Sequence, residues 1–191
     1  MKFDELNKLF SSYFSKMEIP KEDRKKRVDC ALFFYEILWY LFVMIKSDTE
    51  KNTLESQDFY ISALRYRIED EIEATEYVER MTQEVVETTF RHLNEEYFLS
   101  EDRAILISQN EANSVMNQQD FISAKRDGKK YKTWITEGDE RVRDAHVLVD
   151  YTKIPIDEYF HVGDDLMLYP HDYLNGSAEN LVNCRCSCKY E

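Results

Sequence analysis

The residues best suited to chemistry lie near the C-terminal end, in the run Asn183-Cys184-Arg185-Cys186-Ser187-Cys188-Lys189. In an extended strand alternate side chains share a face, so Cys184, Cys186 and Cys188 are expected on one side and Arg185 and Ser187 on the other. Three thiols on one face supply part of a tetrahedral zinc site, and a histidine would complete it. His146, His161 and His171 lie in the same half of the chain, while His92 lies further upstream. The candidate ligand set is Cys184, Cys186, Cys188 and His146, with a structural zinc ion as the candidate cofactor. The favoured reading makes the cysteines small buried apolar residues on a terminal strand. Disulfides between residues so close in sequence would be strained. The cluster therefore points to a reducing compartment and to metal chemistry rather than a disulfide framework.

Two other groups of residues suggest chemistry. His146 follows Arg141, Arg143 and Asp144, and a histidine beside arginine suits a general base next to an anion holder, as in a small metal-free nuclease or a toxin. No second catalytic group stands at a defined spacing, so an Arg–Asp–His hydrogen-bond network is the alternative. Lys125, Arg126, Lys129, Lys130 and Lys132 form the strongest basic patch, with Tyr131 and Trp134 interleaved. Basic and aromatic residues together suit weak, non-specific nucleic-acid contact. A solvated edge strand protected by lysine carries the same pattern.

The chain that must position these groups has 191 residues, 25 Lys and Arg against 38 Asp and Glu, and a net charge of −13. That balance disfavours a surface that grips nucleic acid or an anionic membrane as a whole. With four glycines and three prolines, few tight turns are available and an all-β fold is not expected. The 13 tyrosines and 11 phenylalanines suggest aromatic partner contacts. No Gly-rich phosphate loop, G-x-S-x-G, H-E-x-x-H or EF-hand pattern occurs. No secretory signal is expected, and the most apolar run, Ala31–Ile45, reads as a buried helix because a bilayer span needs about 20 apolar residues. No membrane partner is expected.

The periodicity predicts a helical region over residues 1–99. Phe3, Leu6, Leu9, Phe10 and Tyr13 recur at helical spacing, and Pro20 is expected to end that helix. Ile61, Leu64, Ile68 and Ile72 form one stripe of a long helix that Val78, Met81 and Val85 continue. Between Asp48 and Asp102 there are sixteen acidic and five basic residues, which reads as a solvated acidic face. Residues 100–191 read as a second unit. Ser100 is a good N-cap for a helix running to about Lys125, with Ala104, Ile107, Ala112 and Val115 on its buried side and Gly128 beyond its end. Residues 130–136 alternate as a strand, with Trp134 expected in the core. Asp139–His146 reads as a short helical segment in which Asp139 and Arg143 can pair. The expected fold class is α+β, a long-helix N-terminal half followed by a small mixed α/β domain.

The second half resembles the phage Mu F-like minor head protein family, the phage head morphogenesis proteins. Four pieces carry the resemblance in order: R-A-I-L-I-S-Q-N-E-A-N-S-V-M-N over 103–117, K-T-W-I-T-E-G-D-E-R-V-R-D-A-H over 132–146, F-H-V-G-D-D-L-M-L-Y-P-H-D over 160–172, and N-C-R-C over 183–186. They place Trp134, Asp139, Arg143, His146, Cys184 and Cys186 in the shared motif, over residues 103–186. The helical half is similar only in being helical. The resemblance implies a minor capsid, portal-associated virion protein that works in head assembly by binding portal and capsid proteins, close to packaged DNA, and is not an enzyme. It would be made in the host cytoplasm and end in the virion head, encoded by a phage or prophage. A phage-derived regulator or inhibitor is a further alternative. The domain also occurs in front of toxin domains, and none is expected after this ending. Where the family pattern usually carries glycine, this chain has Tyr151 and His171, and where it often carries proline it has Tyr159. Bulky residues resist positive φ, so loops of different geometry are expected there.

Overall fold

The computed structural model describes residues 1–47, 53–65 and 80–191. It is an α+β protein. By compactness the chain forms two units, residues 1–32 with 109–191, and residues 33–108. This differs from the division at residue 99 expected from sequence. The change of periodicity near that point marks a change of local structure, whereas residues 1–32 belong with the later part of the chain. Two long helices, α2 (Lys21–Ser47) and α5 (Glu101–Arg126), contribute to both units.

In the first unit, α1 (Phe3–Tyr13) buries Leu6 and Phe10, and Phe14 and Met17 continue that stripe beyond its end. Phe3 stays exposed. Pro20 does not end this helix. It stands just before α2, where its carbonyl accepts the amides of Asp23 and Arg24 at 3.1 Å each, a use proline tolerates at a helix start. By length and composition α2 is apolar enough to cross a membrane, so the length argument from sequence fails. However, 61% of its most apolar stretch is buried within the protein, and Ala31, Phe34, Leu38, Leu41 and Phe42 are essentially inaccessible, as in a core helix.

Ser100 caps α5 by accepting the Arg103 amide at 3.2 Å, and Gly128 at φ 73° lies just beyond its end. The chain then enters β1 (Tyr131–Ile135), the centre of a three-stranded antiparallel sheet of order β2-β1-β5, with β2 at Lys153–Pro155 and β5 at Ser187–Tyr190. Trp134 pairs with Cys188 across β1 and β5. A hairpin of β3 (Phe160–Val162) and β4 (Asp165–Met167) turns through Gly163 at φ 61°. Two short helices, α6 (Asp144–Val149) and α7 (Ala178–Leu181), complete the unit. Trp134 is fully buried in a cluster with Val149, Phe160, Val162, Met167, Cys184 and Cys186. The 142–149 segment is only partly core, because Val147 and Leu148 face solvent.

Tyr151 and His171 adopt φ 54° and 63°. The left-handed conformation that glycine favours is therefore adopted at both positions without glycine. The conformation costs an L-residue about 1–2 kcal/mol. Side-chain bonds stand against that cost: the Tyr151 hydroxyl donates to the Glu18 carboxylate at 3.2 Å, and His171 binds a buried carbonyl described below.

In the second unit the described elements are α3 (Thr53–Arg65), a π-helical turn at Gln83–Glu87, α4 (Thr88–Arg91) and a 3₁₀ turn at Glu96–Leu99. Ile68, Ile72 and Val78 of the expected stripe, and much of the acidic run, lie outside the described residues. Met81 and Val85 are buried as expected. Arg103 is buried here. Its Nη1 donates to Thr89 Oγ1 at 2.7 Å and to the Phe98 carbonyl at 2.8 Å, and its guanidinium lies 5.0 Å from the Phe98 ring centre.

Candidate functional site

The Asn183–Cys186 segment is held from the side of α5. Asn113 and Asn117 stand four residues apart, and so on one face of that helix. The Asn113 side-chain amide donates to the carbonyls of Cys184 and Cys186 at 3.1 and 3.3 Å, and that of Asn117 to the Cys186 carbonyl at 3.1 Å. Their oxygens accept from Arg27, at 3.1 Å for Asn113 and 3.0 Å for Asn117. Arg27 is completely buried and also reaches Asp120 at 3.0 Å. His171 Nε2 donates to the Cys184 carbonyl at 2.7 Å. Asn110 accepts the Asn183 amide at 2.6 Å, and Asn183 itself has φ 60°, a conformation asparagine tolerates better than most residues. These bonds satisfy backbone carbonyls that no strand partner serves, since β5 begins only at Ser187.

Cys184 and Cys186 meet His146, whose Nδ1 lies 3.7 Å from Cys184 Sγ and 3.4 Å from Cys186 Sγ. Cys188 packs against the same apolar cluster as the other two thiols, but the group of close metal-type donors contains His146, Cys184 and Cys186 without it. None of the four cysteines forms a disulfide. His161 is exposed on β3. The other nitrogen of His146, Nε2, lies 3.2 Å from Asn180 Oδ1. Asn180 in turn donates through Nδ2 to the Val162 carbonyl at 2.9 Å and to Asp165 at 2.7 Å. Trp134 packs edge-on against the imidazole, with ring centres 5.6 Å apart.

Burial opposes ionisation of Cys184, but hydrogen bonds with Cys186, His146 and His171 outweigh it and hold the thiol well below its usual range. The bond to Cys184, together with burial, pushes Cys186 well above it. Burial, against the pull of the Lys132 ammonium, drives Cys188 up to about 12. Arg185 points the other way, into Glu137 and into Asp139 at 2.8 Å. The Arg185 hydrogen bond holds the Asp139 carboxyl far below the ordinary value, while burial pushes Glu137 up. Asp139 thus pairs with Arg185 and Arg141 rather than Arg143. Arg143 donates instead to the Val182 carbonyl, and the helix expected over Asp139–His146 forms later, over Asp144–Val149.

The basic patch is smaller than its sequence. Arg126, Lys129 and Lys130 are exposed and make no ion pair among the described residues. Lys125 is exposed but bonds Asp157 at 2.8 Å. Lys132 is not on the surface at all. It alternates inward on β1, fully buried, with its ammonium 5.1 Å from the Phe121 ring centre and 5.3 Å from that of Phe160. Its Nζ has no hydrogen-bond partner among the described residues, and burial pulls its pKa down to about 8.

Residue-type reasoning missed Arg27, Asn113, Asn117 and Asn180. The missing signal was polar residues at the apolar period: Asn113 and Asn117 fall beside Ala112 and Met116 on the buried side of α5.

The protein is thus an α+β fold whose long helix grips a Cys-x-Cys segment with asparagine amides. Residues 63–189 match the family described as Phage Mu protein F like protein, and the chain belongs to that family, one of phage head morphogenesis. The match begins well before residue 103 and takes in part of the helical region, so the likeness there is more than helicity. Comparison with curated proteins and with solved structures returned no match.

Proposed function

We propose that the chain is a minor component of a tailed-phage or prophage head, associated with the portal, and that it acts by binding capsid and portal proteins during assembly in the host cytoplasm. The observation that carries this reading is the family match over residues 63–189. The site geometry is in keeping with a binding role. His146 is buried and both its nitrogens face protein atoms, so it offers no free base to a nucleic-acid substrate, and Arg143 is turned to a carbonyl. The DNA contact belongs to Arg126, Lys129 and Lys130 alone. With three phosphate contacts the logarithmic salt slope would be roughly −3. Mass spectrometry of heads purified from infected or induced cells tests the proposal. The chain should be present at a low, fixed number per head. Its absence from purified heads, or a nuclease activity of the isolated chain lost in His146→Ala with folding intact, would overturn it.

A further inference from the structure

We infer that His146 Nδ1, Cys184 Sγ and Cys186 Sγ are the three protein ligands of one zinc ion. This site stands independently of the head-assembly reading and rests on geometry alone. A tetrahedral ion with metal–sulfur bonds of about 2.3 Å and a metal–nitrogen bond of about 2.0–2.1 Å holds sulfur and nitrogen about 3.6 Å apart. The two separations in the protein are 3.4 and 3.7 Å. All three donor atoms lie within 4.8 Å of one another and all three residues are buried.

The surroundings point to the same use. Asn180 donates both of its amide hydrogens, to Val162 and to Asp165, so its oxygen is left to accept from His146 Nε2. The proton is thereby held on Nε2, and the Nδ1 lone pair faces the two sulfurs. Metal-bound histidines are oriented by such outer partners. Asp165 is fixed in its turn by the Ser177 amide and hydroxyl at 2.8 and 2.7 Å. On the sulfur side, the carbonyls of both cysteines are tied to Asn113, and that of Cys186 also to Asn117. Both sets of donors are therefore positioned without the ion, from two separate elements, α6 and the Asn183–Cys186 bend. Two thiolates and an imidazole select a soft or borderline ion and not calcium or magnesium. The three ligands border a small pocket shared with Arg141, Arg143 and Asn183, and the fourth position is assigned to a water molecule from that side.

The test uses the full chain, purified under reducing conditions without chelator. Elemental analysis should give about one zinc per chain, and cobalt loading of the stripped protein should produce a thiolate-to-cobalt charge-transfer band. Cys184→Ser and Cys186→Ser should abolish both signals, whereas Cys188→Ser should keep full stoichiometry. Asn180→Ala should keep the metal but weaken its affinity by about 10–100-fold. The two variants expected to retain metal keep the test decisive where a ligand substitution unfolds the protein. No zinc above buffer background in the folded wild type, a Cys184–Cys186 disulfide under the same conditions, or loss of metal in Cys188→Ser would overturn the assignment.

Discussion

The Asn183–Cys186 bend and the basic turn at 125–132 are equally marked in sequence and differ in how they are held. The bend is buried, and hydrogen bonds from Asn110, Asn113, Asn117 and His171 reach its backbone. The turn around Gly128 is exposed from Lys125 to Tyr131, and among the described residues its side chains make one ion pair, Lys125 with Asp157. The turn is held through main-chain bonds, among them the Lys130 amide to the Glu191 carbonyl at 2.7 Å and the Ile156 amide to the Lys130 carbonyl at 2.9 Å. The cysteine bend is held by side chains of α5, which Arg27 of α2 holds in turn. One of the lysines, Lys132, has been drawn into the core.

The comparison can be broken hardest at Arg27. Its guanidinium links Asn113, Asn117 and Asp120, and Arg27→Met leaves their oxygens without that donor. The expected cost is about 3–5 kcal/mol, as for breaking a buried ionic network from one side, read as a fall in the denaturant midpoint. A stability within experimental error of wild type would show that the bend does not depend on this frame. Asn117→Ala removes one carbonyl's donor and one acceptor and should cost about 1–3 kcal/mol.

Lys132 offers a gain. Lys132→Met keeps the volume and removes a buried ammonium with no hydrogen-bond partner among the described residues, against the loss of its contacts with Phe121 and Phe160. The net expectation is a stabilisation of about 1 kcal/mol near neutral pH. The pH dependence gives the sign independently. Below pH about 8 the amine is protonated in folded and unfolded chains alike, and between about 8 and the ordinary 10.5 only the unfolded chain holds the proton. Wild-type stability should therefore gain a rising contribution across that window, absent from Lys132→Met. Equal pH profiles for the two proteins would place the amine in water.

The two positive-φ residues sharpen the contrast. Tyr151→Gly relieves backbone strain at an exposed loop and should raise Tm slightly. His171→Gly relieves the same strain but deletes the bond to the Cys184 carbonyl, so Tm should fall. The smallest stability effect belongs to the basic turn, where Lys129→Glu with Lys130→Glu should leave Tm unchanged. If the chain binds DNA, the same pair should flatten the salt slope by roughly two units.

Much of this was legible in the sequence, for reasons that particular residues show. The α+β order, the N-cap at Ser100, the strand around Trp134 and the meeting of His146 with Cys184 and Cys186 follow from local pattern and a recognisable motif. That Cys188 stays outside the close donor group was not legible, because strand spacing holds only where β5 has a partner, and the bend precedes it. Lys132 was misplaced by composition although the same alternation puts it on the opposite face from Tyr131. The asparagine frame is a tertiary fact: Arg27 and Asn113 are 86 residues apart.

The cysteine bend is held from α2 and α5 before any ion binds. Amide hydrogen exchange on the metal-stripped, reduced chain is the deciding measurement. Amides of residues 184–187 should be protected in the wild-type chain, and Arg27→Met should remove that protection while leaving that of residues 127–130, whose amides bond to the carbonyls of Ser123, Lys125, Ala124 and Glu191. Fast exchange of residues 184–187 in the wild-type chain, or protection there unchanged in Arg27→Met, would contradict this frame.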